Sequence, residues 1–345
     1  MKLELRPRGW RLEEPIVTAR GMLTTRAGIE VTVSEGGVVG RGEAFPLEAF
    51  GTEALVDTER ALRAFSPRAI DDVAAVDGQL AALDGVPAAR FAAESALLEW
   101  LARRRGVPVA TLLGVPRALV PVNALIDGRD AAALARAATQ AAQQGFKTVK
   151  VKVGARPVAE DAQRLLAVRQ AVGPTVALRI DANGGWSEGV ARATLRGLES
   201  LALELCEQPV AAADVEGLRR VSALVPVPVA ADEALSDRSR WAQVLGIDAP
   251  PAARVLVLKP AVLGGLLPAL SLAKRAAGRG VHAYVTTLMD GPIARAAATH
   301  LAAVLPSAPY AHGLSTVERF EGLAPDACTP RGGAIELPAG PGWGV

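Results

Sequence analysis

Between Phe146 and Lys259 the chain carries lysines and acids at the downstream ends of successive strand-like runs. Lys152, Asp181, Glu207, Asp232 and Lys259 follow one another at intervals of 25 to 29 residues. One strand, one helix and two loops need about that length, so the interval reads as a βα repeat with a polar group at each strand end. Barrel folds gather their chemistry at that end of their strands.

Side chains alternate across a strand, so Lys150 and Lys152 share a face, with Lys152 nearer the mouth. Lysines spaced this way usually face solvent. If this face is instead the barrel interior, mutual repulsion and desolvation lower the pKa of at least one amine and make it usable as a base. Asp181, Glu207 and Asp232 would repel one another in a confined mouth unless a cation sits between them, and an all-oxygen set suits a hard ion such as Mg²⁺. Taken singly, Asp181 and Asp232 read as helix N-caps, since both precede helical patterns; taken with Glu207 they read as a metal set. Lys259 completes the ring opposite Lys152. Asn183 shares the face of Asp181, and Glu233 can orient a lysine or ligand, which makes both candidates for support of the site. Arg20, Thr286 and Thr287 are further candidates for substrate contact.

The positioning elements follow from periodicity. Lys2–Leu5, Ile29–Val33 and Val38–Glu43 read as a small antiparallel sheet, the last two joined by a Gly36-Gly37 turn. Ile16–Thr25, with Arg20, and Phe45–Gly51 read as surface loops suited to a lid. Thr52 to about Arg105 is helical, and Leu112–Pro116 is the expected crossing between domains. Strands are then expected at Val120–Ile126, Thr148–Val153, Val176–Ile180, Leu201–Leu205, Val227–Ala230, Arg254–Leu258 and His282–Thr286, with a weaker eighth near Tyr310–Leu314. The Gly184-Gly185 and Gly264-Gly265 pairs lack phosphate-loop spacing and read as tight turns. His282, His300 and His312 form no ligand spacing, and Cys206 should face away from Glu207 into the core.

Bulk properties agree with a soluble globular protein of two domains. The chain has 345 residues, half of them apolar and 21% charged, with a net charge of +2 and 4% aromatics. No basic run points to nucleic acid and no uninterrupted apolar span points to a membrane. Two cysteines form no disulfide framework, and the first residues lack the apolar run of a signal peptide, so a cytoplasmic setting is expected. A small-molecule carboxylate is the expected partner, with a homo-oligomer open.

The set Lys150-Val-Lys152, Asp181-Ala-Asn-Gly-Gly-Trp186, Glu207-Gln-Pro209, Asp232-Glu233 and Lys259-Pro260 resembles the enolase superfamily in its muconate-cycloisomerase-like subgroup, and the likeness extends to Gly40-Arg-Gly-Glu-Ala-Phe-Pro46. The resemblance implies an α/β fold, a modified TIM barrel of (β/α)₇β form over residues 116–321. An α+β capping domain over residues 1–115 would be completed by the tail 322–345. It also implies Mg²⁺, with Mn²⁺ as a substitute, on Asp181, Glu207 and Asp232, and Lys152 and Lys259 flanking a carbon acid that passes through an enediolate. Lys150 would bind the substrate carboxylate or depress Lys152. The expected reaction is a carbon–oxygen lyase step, the syn dehydration of 2-succinyl-6-hydroxy-2,4-cyclohexadiene-1-carboxylate to 2-succinylbenzoate in menaquinone synthesis. N-succinyl amino acid racemisation, dipeptide epimerisation and muconate cycloisomerisation are the alternatives, and a noncatalytic binding barrel is disfavoured because all five positions are filled. Dipeptide epimerases of the subgroup usually carry an Asp-x-Asp pair after the eighth strand. Here the matching region reads His312-Gly-Leu-Ser-Thr316.

Overall fold

Eight parallel strands surround a packed interior in the computed structural model, which describes residues 1–18, 21–306 and 309–345. Strands β1 (Lys2–Thr18), β2 (Gly21–Glu35) and β3 (Val38–Ala44) form a separate antiparallel sheet. The barrel strands are β4 (Leu119–Ile126), β5 (Thr148–Lys152), β6 (Ala177–Asp181), β7 (Leu203–Glu207), β8 (Val229–Ala231), β9 (Val255–Leu258), β10 (His282–Val285) and β11 (His312–Ser315). They pair in chain order from β4 to β10, β11 pairs with β4, and a parallel bridge from Thr286 to Gly313 joins the seventh strand to the eighth. A helix follows each of the first seven, so the fold is a (β/α)₇β barrel with an α+β cap.

Period-two alternation divides the strand residues between two cores. Leu205, Ala230, Val255, Val257 and Tyr284 fill the barrel, while Cys206 and Val229 belong to the large cluster shared with the outer helices. Cys206 faces away from the mouth, as its position beside Glu207 requires. No described helix is long and apolar enough to cross a membrane.

The helix Pro87–Arg105 is buried from Ala88 to Ala102, with the charged Arg90, Glu94 and Glu99 enclosed among its alanines and leucines. It packs on β3, where a Cβ at Gly40 would stand 2.1 Å from Ala96 O and one at Gly42 2.0 Å from Ala92 O. Only glycine allows that approach. Glu94 reaches from this helix to Leu267 N at the start of the helix Leu266–Ala277, so its carboxylate meets a helix N-terminus. The Gly264-Gly265 pair is a turn, as its sequence suggests, but also the seat of this contact: Arg90 donates to Gly264 O, and a Cβ on Gly265 would collide with the Glu94 carboxylate. The tail returns through β12 (Ala334–Glu336), antiparallel to β4, and buries Trp343, whose indole donates to Arg41 O of β3 at 2.9 Å.

Ile16–Thr25 is not the expected loop. Past a bulge between Arg11 and Ile16, β1 and β2 stay paired through Thr18 and Gly21 as a projecting arm. Leu12 and Ile16 of that arm pack with Val317 and Phe320, which seats it beside the barrel mouth. Phe45–Gly51 contains a short 3₁₀ turn, Glu48–Phe50, and also reaches the mouth.

Candidate active site

Strand register brings the acids and lysines together. Lys152 pairs with Asp181 and Asp181 with Glu207, so three polar ends stand at one level. Asp232 and Lys259 lie one residue beyond the ends of β8 and β9. Around the rim the order is therefore Lys152, Asp181, Glu207, Asp232, Lys259, with a lysine at each end of a run of three acids. One oxygen from each of Asp181, Glu207 and Asp232 lies within 4.8 Å of the others, and all three residues are buried.

The helix-cap reading of the two aspartates does not hold. Ser187 caps the helix Glu188–Gly197, and the Asp232 side chain makes no capping bond. Asp181 Oδ1 instead accepts from Asn183 N at 3.0 Å, the residue held at φ 44°. That turn aims Asn183 at the site: its Oδ1 accepts from Lys152 Nζ at 2.8 Å and its Nδ2 donates to Glu233 Oε1 at 2.9 Å. Gln208, also at positive φ, accepts from Asp232 N at 2.9 Å and fixes the neighbouring strand end.

Each acid has a lysine partner. Lys150 Nζ lies 2.6 Å from Glu207 Oε2 and 2.9 Å from Asp181 Oδ2, Lys152 Nζ 2.6 Å from Asp181 Oδ2, and Lys259 Nζ 2.5 Å from Asp232 Oδ2. Burial pushes the Asp181 carboxyl up, but Lys150 and Lys152 more than reverse this and hold it well below the usual carboxylate range. Burial, then the Asp181 charge, pushes Glu207 up to about 8. Asp232 is raised by burial and by Glu233.

The acids set the state of two of the lysines. Burial lowers the pKa of Lys150, but Asp181, Glu207 and Asp232 outweigh it and carry the group above its ordinary value. Repulsion between lysines therefore does not neutralise Lys150, which pairs with Glu207 and Asp181 and also borders the cavity above them. Lys259 is likewise raised, since Asp232 and Glu233 outweigh its burial.

A cation fits this donor set. Glu207 Oε1 is buried with no hydrogen-bond partner, and burial first, then the neighbouring charges of Asp181 and Asp232, disfavours the ionised form of Glu207 unless a cation offsets it. Three carboxylates are the ligands of a hard divalent ion.

Above the acids lies a cavity of ≈160 Å³. Lys150, Lys152 and Lys259 line its floor, and Thr286, Thr287, Ser315 and Thr316 contribute hydroxyls. Ile16, Met22 and Leu23 of the β1–β2 arm and Leu47 and Phe50 of the next segment close it from the cap side. No acidic side chain is among its described lining residues. Thr286 Oγ1 donates to Gly313 O at 2.9 Å, and the Thr287 and Thr316 hydroxyls are 2.9 Å apart. Arg20 lies outside the described residues. Reading strand ends alone missed Tyr284 and Arg179, one layer deeper. Each stands two residues before a polar strand end, on the same face.

Comparison with known proteins agrees with this architecture. Residues 1–114 match the mandelate racemase / muconate lactonizing enzyme N-terminal domain, and residues 132–345 the enolase C-terminal domain-like family. A chloromuconate cycloisomerase of Cupriavidus pinatubonensis is 30% identical over 91% of this chain and 85% of its own. Among solved structures, a dipeptide epimerase from Enterococcus faecalis complexed with Mg and the dipeptide L-Leu-L-Tyr superposes with a TM-score of 0.91 at 26% identity, covering 99% of this chain and 98% of its own. An N-succinyl Arg/Lys racemase from Bacillus cereus does so with 0.88 at 26%, covering 99% and 94%.

Proposed function

The chain belongs to the enolase superfamily, in its muconate-cycloisomerase-like subgroup, and from that premise we propose that it removes a proton from the carbon beside a carboxylate of a small acid. Asp181, Glu207 and Asp232 would hold Mg²⁺, which would offset the negative charge that gathers on the substrate carboxylate. The capping domain is taken as residues 1–115 with the tail 322–345, and the catalytic barrel as 116–321.

The lysines do the proton work. Lys152 Nζ, oriented by Asn183 and Asp181, takes the proton from one side of the acid carbon. Lys259, at the far end of the acid run, stays cationic and faces the charge that forms. The cap segments keep water from the carbanion, and the threonine hydroxyls orient the body of the substrate.

The observation that supports this reading is the wall of the cavity, apolar and hydroxyl-bearing, with no described carboxylate. A substrate ammonium finds no counter-ion among the described lining residues, and an Asp-x-Asp pair is missing at His312–Thr316. Both features turn away from dipeptides. They suit the syn dehydration that yields 2-succinylbenzoate: Lys152 takes the ring proton and then returns it to the departing hydroxyl, which leaves as water. N-succinyl amino acid racemisation is the second reading, supported by the lysines at opposite ends of the acid run, with one amine removing a proton and the other supplying one. Rates for dehydration and for N-succinyl amino acid racemisation, measured side by side with Mg²⁺, test the assignment. Faster dehydration supports the first reading. Faster racemisation replaces it with the second, and no turnover of either removes both.

A further inference from the structure

Tyr284 stands on β10 two residues deeper than Thr286, fully buried in the apolar filling of the barrel. Its hydroxyl donates to Glu207 Oε2, the oxygen that also takes Lys150 Nζ at 2.6 Å. The other oxygen, Oε1, is buried with no hydrogen-bond partner. A glutamate carboxylate has two equivalent oxygens on a flexible stem, so two donors on one oxygen decide where the second points. The ring of Tyr284 is itself fixed: the Arg179 guanidinium lies 4.8 Å from its centroid and is anchored by Glu204 and by Ala311 O at 2.6 Å.

We propose that Tyr284 is a positioning residue for the divalent ion, holding Glu207 Oε2 so that Oε1 faces the point shared with Asp181 and Asp232. This rests on the metal-centre reading above. A phenol does the task without charge, so it orders the ligand and leaves the negative potential of the three acids for the ion. Lys150 serves the same oxygen but is divided between Glu207 and Asp181. Tyr284 is committed to Glu207 alone among its described hydrogen bonds.

Calorimetric titration of the metal-free full-length protein with MgCl₂ and MnCl₂ tests it. Tyr284→Phe should weaken the dissociation constant by about 10–100-fold, the usual effect of losing such support, with the far-ultraviolet circular dichroism unchanged. A Tyr284→Phe protein that folds and binds the ion as tightly as its parent overturns the proposal. Glu207→Gln separates the two readings: if it too binds like the parent, the metal centre itself is wrong and the proposal goes with it. Should Tyr284→Phe fail to fold, fluorotyrosine labelling of the parent decides, because the chain has only two tyrosines and Tyr310→Phe assigns the signals. The Tyr284 fluorine resonance should shift and saturate at one equivalent of Mg²⁺. An unmoved resonance while the ion binds overturns the assignment.

Discussion

Replacing His312 with asparagine removes one titration from the barrel and leaves its hydrogen bond in place. His312 is buried, and its Nδ1 accepts from Val285 N at 3.0 Å, so that nitrogen carries no proton. Burial, then the charges of Arg179 and Arg117, push its pKa down to about 3. In the unfolded chain a histidine titrates near 6.5. Between those limits the unfolded state binds a proton that the folded state refuses, so the contribution is complete above pH 6.5 and is lost as pH falls toward 3. The slope is about 1.4 kcal/mol per pH unit, which gives roughly 2 kcal/mol between pH 7 and pH 5. His300, buried and pushed down to about 4, adds a parallel loss that stays in both proteins. In the His312→Asn variant the amide oxygen can accept from Val285 N, but the side chain cannot protonate. Urea unfolding of parent and His312→Asn at pH 7, 6 and 5 measures the difference. The variant should lose about 2 kcal/mol less than the parent across that range. Parallel stability curves would refute the reasoning, whatever the absolute offset.

Lys152→Ala should reduce turnover by at least about 10²–10⁴-fold with little change in thermal midpoint; activity close to the parent's would remove Lys152 as the base. Exhaustive chelation should abolish activity, and Mg²⁺ or Mn²⁺ should restore it, so full activity after verified metal removal would contradict the ion's role. Gly40→Ala sets a methyl against Ala96 O, at 2.1 Å in the unrelaxed geometry, and should cost about 1–3 kcal/mol or more. An unchanged melting temperature would show that the helix Pro87–Arg105 can retreat from β3.

The barrel and its polar rim were legible because each βα unit repeats at nearly constant length and ends on a residue that a core strand would not carry. Asp181, Glu207 and Asp232 are costly in isolation at such positions, so their recurrence is informative. The β1–β2 arm was not legible. Gly21–Thr25 is mainly exposed on both faces, so no period-two signal separates strand from loop there. The state of Lys150 depended on distances: spacing along β5 revealed a neighbouring lysine, whereas the stronger influence comes from acids on β6 and β7. Tyr284 and Arg179 have the alternation of ordinary interior residues, and only the cross-strand register shows that one reaches Glu207 and the other braces the ring.

Anomalous scattering from Mn²⁺-soaked crystals tests the central claim most directly. One peak should stand within coordination distance of Asp181, Glu207 and Asp232, between the amines of Lys152 and Lys259. Diffraction from fully soaked crystals with no peak there, or with the ion bound elsewhere, would contradict it.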